Sequence, residues 1–212
     1  MLTRQNYFQE KRYEIKNLTL SILDNLDEMT DYYIAYLNNP SDENRNHILE
    51  AENYVDHNER KIEKYISEII SLQQLDVHDI KWLLAMNRII RDLERIGDQL
   101  TNIITISDDT DAKELKPMIR KFFQYEQKMI TWLIHGMNND DIVSLDKVVQ
   151  HDEHVNKLNK DTYQNVADLI KNHKKISESK LKMIIISRFL ERIGDHLVNI
   201  ARTYQKIVWK LG

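Results

Sequence analysis

The sequence predicts an all-α protein of six long helices arranged as two tandem three-helix bundles, and three observations carry that prediction. The 212 residues include only four glycines and two prolines, which leaves few places for the chain to turn. No run alternates polar and apolar residues as a half-buried strand would. The hexapeptide LERIGD occurs twice, at 93–98 and 190–195, inside a longer internal repeat.

Taken in order, the first helix runs to a break at NNPSDEN around Pro40. Ser41, followed by acidic residues, reads as the cap of the second helix, which ends in QQLDVHD at 73–79. Asp76 or His78 starts the third helix, which carries Trp82 and the first LERIGD. The stretch SDDTDAKELKP, 107–117, separates it from the fourth helix, and NNDD at 138–141 ends that one. The fifth helix closes at NHKKISES, 172–179, where Ser177 reads as the start of the sixth. Five breaks give six helices, divided as units 1–108 and 109–212.

The two units align. MTDYYIAYLNN at 29–39 lies over MITWLIHGMNN at 129–139, an offset of 100 that still holds where ILEAENYVD lies over VVQHDEHVN. It becomes 97 in the third helices, with the deletion falling in the loop before them, where deletions are tolerated. There RDLERIGDQLTNI from Arg91 matches RFLERIGDHLVNI from Arg188 at ten of thirteen positions. Leu83, Met86, Ile90, Leu93, Gly97, Leu100 and Ile104 form a heptad-like seam, with Met183, Leu190, Gly194, Leu197 and Ala201 as its second copy. Each motif glycine therefore lies on a packed side, where it permits close helix approach or access to the backbone despite a helix cost of roughly 1 kcal/mol.

Beside each glycine stand two acids. On a wheel of roughly 100° per residue, Glu94 and Asp98 border the apolar arc as partly sheltered carboxylates, one turn apart and mutually repelling. Glu191 and Asp195 repeat the pair. In the second helices Glu52 and Asp56 edge the stripe of Ile48, Val55, Ile62 and Ile69, with Asp152 and Asn156 as counterparts. A single such pair is ordinarily a solvated face partnered by neighbours such as Arg91 or Arg95. Its recurrence beside a costly glycine points to a cation between facing helices, and oxygen donors suit hard cations, iron or manganese. The Glu-x-x-His spacing of di-iron bundles is absent at these positions. His151 and His154 read as surface histidines, and Trp82, Trp132, Trp209 and the tyrosines as core and interface aromatics.

The net charge of −4, with both signs interspersed, shows no footprint for nucleic acid. Zero cysteines exclude disulfides and thiolate metal sites, no apolar run could span a bilayer, and the N-terminal MLTRQNYFQEKRYE has no apolar signal core, so a cytoplasmic location is expected.

At these residues the chain resembles the PhoU family, regulators of phosphate uptake and phosphate-responsive signalling. That family has two three-helix repeats, a third-helix motif much like LERIGDxxxNI, and a second-helix pattern of acid, Val or Ile, then Asp or Asn, as in Glu52–Val55–Asp56 and Asp152–Val155–Asn156. The resemblance implies a surface metal site on each bundle, held by Glu94 and Asp98 or by Glu191 and Asp195, with Glu52, Asp56, Asp152 and Asn156 contributing from the second helices. The implied ion is divalent or trivalent, iron first, with zinc, manganese, magnesium or nickel as other occupants. Asn156 replaces a charged ligand and implies a weaker or differently loaded second site. The resemblance further implies a non-enzymatic homodimeric adaptor, a negative regulator that couples the phosphate ABC transporter ATPase to a sensor histidine kinase by protein contact. Other readings are the cytosolic PhoU-like part of a sodium–phosphate cotransporter, a carboxylate-bridged metal hydrolase or oxidase, and a helical scaffold in which LERIGD only packs.

Overall fold

Helix-forming residues interrupted at five places produce six α-helices in the computed structural model, which describes residues 4–72, 74–107, 112–172 and 177–208. They are α1 (Arg4–Asn38), α2 (Asp42–Leu72), α3 (Val77–Ile106), α4 (Ala112–Asn139), α5 (Ile142–Lys171) and α6 (Glu178–Val208). No strand occurs among the described residues.

The helix starts obey capping chemistry. Ser41 Oγ accepts from Asn44 N at 3.2 Å, and Asp76 Oδ1 accepts from Asp79 N at 2.8 Å, so each satisfies one of the unpaired first-turn donors. Ser177 accepts Lys180 N at its carbonyl, 3.1 Å away, directly ahead of α6. The α4–α5 connection is tight because Asp140 adopts φ 52 and the Asp141 amide reaches back to the Gly136 carbonyl at 2.9 Å. Asp141 then caps α5, accepting from Val143 N at 3.0 Å and from Ser144 Oγ at 2.7 Å. One boundary differs from expectation. Pro117 was placed in the break 107–117 but lies inside α4. As the sixth residue of α4 it removes one intrahelical bond, a loss offset by the burial of Leu115, Ile119, Phe122 and Phe123 around it. Gln73 and residues 108–111 and 173–176 of the expected breaks lie outside the described residues, as does Trp209.

Within each half the three helices pack as a bundle: α1 and α3 flank α2, and α4 and α6 flank α5. The halves join through α3 against α6 and α1 against α4, while α2 and α5 do not touch. A single hydrophobic core therefore runs through both repeats. The first seam is buried throughout, as is the α2 stripe of Ile48, Val55, Ile62 and Ile69. Polar contacts reinforce the junction between halves. Asp92 on α3 meets His196 on α6 at 2.9 Å, and Gln127 on α4 donates to Thr30 and Asp31 on α1 at 2.8 and 2.9 Å. The outcome positions one acidic groove on α2 and α3 and another on α5 and α6.

Candidate metal centres

In the first repeat, the register of α2 and α3 puts Glu52, Asp56 and Glu59 close enough to Glu94 and Asp98 to repel them. Glu94 is half-buried, and its carboxyl is pushed up to about 7, first by burial and then by Asp98, Glu59 and Asp56, with Arg95 opposing. Burial raises the Glu52 carboxyl as well, followed by Asp56 and Asp98. Of the two arginines that would partner an ordinary solvated face, Arg91 pairs with Glu63 at 3.4 Å and Arg95 offsets Glu94 only in part, so Glu94 has no ion-pair partner among the described residues. Asp98, expected to be partly sheltered, is exposed, as is Asp195.

The second repeat keeps the plan and changes the charges. Glu191, its side chain 12% exposed, is held by Arg188 at 2.7 Å. Burial and Asp195 still raise its carboxyl, with Arg188 opposing. Asn156 donates to Asp152 Oδ2 at 2.7 Å, so the neutral counterpart of Asp56 stabilises its neighbour rather than adding a donor oxygen to the groove. Burial raises Asp152 nonetheless, followed by Asp195. Its Oδ1 is buried without a hydrogen-bond partner, against Gly194.

The two motif glycines are not equivalent. A Cβ on Gly194 would stand 2.7 Å from Asp152 Oδ1 and 3.1 Å from Val155, whereas one on Gly97 would meet Val55 at 3.8 Å, an ordinary contact. Gly194 thus permits a close approach that Gly97 does not need.

Two acids escaped the sequence reading. Glu59 lies one turn beyond Asp56, and its carboxyl is raised by burial, Glu63 and Asp56. Its signal was available as the third acid on the Glu52–Asp56 face. Glu126 on α4 is 0% exposed with neither oxygen hydrogen-bonded, and burial together with Asp152 holds its carboxyl well above the ordinary range. It was detectable as an acid in the apolar register of Phe122, Phe123, Ile130 and Leu133, at the position where the first repeat has Leu26. His151 is a correction: instead of a surface residue it is half-buried between Tyr125 and Trp132, at centroid distances of 5.3 and 4.9 Å, while the exposed His154 stacks on Tyr125 at 5.2 Å.

Among the described residues no three Asp, Glu or His side chains converge on one point. The carboxylates instead line each groove as repelling neighbours. As a donor set they fit a hard cation: all are oxygen ligands, they come from two facing helices, and the buried Asp152 Oδ1 lacks a partner. An ion would draw in side chains that now repel one another.

The PhoU domain family model matches this chain at residues 19–107 and 119–203. A PhoU homolog of Borreliella burgdorferi, described as a phosphate-specific transport system accessory protein, is 26% identical over 209 residues, covering 94% of this chain and 91% of its own length. The Synechocystis homolog of the same description is 27% identical over 175 residues, covering 76% of this chain and 73% of its own. In fold, the crystal structure of PhoU from Pseudomonas aeruginosa matches with a TM-score of 0.85 at 20% identity, covering 96% of this chain and 99% of that one. The regulatory PhoU from Streptococcus pneumoniae matches at 0.80 and 16% identity, covering 94% and 96%.

Proposed function

This chain belongs to the PhoU family, and on that footing we propose that it is a non-enzymatic, metal-binding regulatory adaptor of phosphate uptake and phosphate-responsive two-component signalling. The observation that carries the reading is the retention, in both family-matched repeats, of facing acids beside the motif glycine. Glu94, Asp98, Glu52 and Asp56 would hold an ion in the first groove. Glu191, Asp195 and Asp152 would do so in the second, with Asn156 as a neutral contributor. A bound ion would supply positive charge to carboxylates that Arg60 and Arg188 offset only in part.

The chain's own residues then act by presenting surface. Ile70, Leu72, Val77 and Ile80 are exposed where α2 gives way to α3, and Ile170, Leu181 and Ile185 where α5 gives way to α6. Apolar side chains at corresponding ends of both repeats suit contact with protein partners, here the phosphate ABC transporter ATPase and the sensor histidine kinase. No described helix is long and apolar enough to cross a membrane, so contact with membrane complexes would be peripheral.

The test is capture of the transporter ATPase and the kinase from the same cell by this protein at high and low phosphate. Phosphate-dependent capture of either is expected, and capture of neither under both conditions would refute the adaptor reading. Metal content is read separately by elemental analysis of the purified protein.

A further inference from the structure

Away from the carboxylate grooves, the N-terminal part of α1, the first turns of α3 and the last turns of α6 enclose a pocket of about 280 Å³. Its charge runs against that of the chain. Acids outnumber Lys and Arg by 34 to 30 overall, yet among the described residues the pocket wall carries Arg12, Lys81, Arg88 and Lys206 and no carboxylate. The four cations come from three helices, so the charge pattern of one solvated helix face does not account for their meeting. Lys81, Arg88 and Lys206 have no ion-pair partner among the described residues. Arg12 is held in place by the ring of Trp82, 4.8 Å from its guanidinium carbon.

Beside the cations stands an apolar wall. Leu84, 60% exposed, lines the pocket with Ala85 and Ile207. A second hollow of about 210 Å³ continues past Arg12 and Trp82, and its own Lys16 is offset by Asp140 at 3.4 Å. Asp79 in the first turn of α3 offsets Arg12 in part, so the main pocket's uncompensated charge is that of Lys81, Arg88 and Lys206. Like charges gathered in a recess of low polarity repel, and a bound anion removes that cost.

We propose that this pocket binds a small, multiply charged anion with an apolar portion, of the phosphate-ester class to which nucleotides belong. Four cations around one recess call for more than the single charge of a carboxylate, and Arg presents the planar donor fork that matches phosphate oxygens. The apolar wall gives an ester's organic part a contact that bare phosphate cannot use. The volume suits a compact small molecule, near the lower end of ordinary ligand pockets. No candidate metal ligand lines the pocket, so the proposal is independent of the metal reading.

The experiment is calorimetric titration of the full chain, stripped of metal by chelator, with inorganic phosphate, AMP and ATP at low and physiological salt. A Lys81→Glu/Arg88→Glu variant serves as control, since both side chains are exposed and unpaired, and circular dichroism confirms its fold. Saturable nucleotide binding is expected, tighter than that of phosphate, weakened by salt and reduced about tenfold or more per reversed charge. Absence of saturable binding by all three probes would overturn the proposal, as would equal nucleotide affinity in the variant. Inorganic phosphate binding as tightly as both nucleotides would overturn the assignment to esters.

Discussion

Replacing either motif glycine with alanine is the same edit in sequence, but the surroundings assign it opposite signs. At Gly97 the new methyl finds only van der Waals contact, so Gly97→Ala should stabilise the protein by about 0.5–1 kcal/mol through restored helix propensity. At Gly194 the methyl collides with Asp152 and Val155, so Gly194→Ala should destabilise it by about 1–3 kcal/mol and displace a candidate ligand. Denaturant titration of both variants checks this; a gain for both with metal content unchanged would mean that LERIGD only packs. Glu94 supplies a second prediction. Its carboxyl titrates near 7 in the fold against an ordinary 4.5, so the folded state holds its proton more tightly than the unfolded chain does. Stability contributed by this residue is therefore lost as pH rises from about 4.5 through 7. After discounting for solvent screening, the loss is about 1 kcal/mol. Metal-free Glu94→Gln should exceed the parent by that margin at pH 8 and match it near pH 4, and melts at the two pH values measure it. The helical wheel located Glu94 at the edge of the apolar arc. It could not weigh Glu59, because that repulsion crosses between helices whose register only packing sets.

At the scale of elements, six helices and their order were legible because caps and breaks are local: Ser41, Asp76 and Ser177 begin helices for reasons contained within a turn of chain. Pro117 does not break α4 because the one helix bond it removes is outweighed by apolar burial that the chain shows only once packed, at Leu115, Ile119, Phe122 and Phe123. Pairings between helices were not legible. Asp92 sits one residue before the motif leucine, where nothing in the chain names its partner; it is 6% exposed and bonded to His196 across the α3–α6 junction. The repeat offers no hint, since the position equivalent to Asp92 is Phe189 and that equivalent to His196 is Gln99. Asp92→Ala should leave the imidazole without its partner in a sheltered site and cost about 1–3 kcal/mol. Chemical denaturation tests it; a change below about 0.5 kcal/mol, the range of surface substitutions, would show that the pair does not hold α3 to α6.

Across the whole molecule the duplication was plain in the sequence, but the divergence of its two acidic grooves was only half visible. Asn156 announced one lost charge. The alignment also sets Asn159 against Glu59, and in the fold Asn159 accepts from Ser187 Oγ at 3.0 Å, facing its own bundle. Arg188 holds Glu191, while its counterpart Arg91 turns to Glu63 and leaves Glu94 unpaired. The first groove thus gathers five carboxylates, Glu52, Asp56, Glu59, Glu94 and Asp98, of which Asp56 is paired with Arg60 at 3.4 Å, whereas the second has Asp152, Glu191 and Asp195, of which Glu191 is paired with Arg188. A hard cation gains most where uncompensated oxygen charge is greatest, so the first groove should load first and more tightly. Because its carboxylates must lose protons, its affinity should climb with pH through about 7, as Glu94 ionises, and then level off. Elemental analysis after dialysis against limiting metal decides the order. Glu94→Ala/Asp98→Ala should remove most of the bound ion and Glu191→Ala/Asp195→Ala much less. Equal losses would show that the two grooves bind alike despite their unequal charge, and retention of metal by the quadruple variant would refute the ligand assignment altogether.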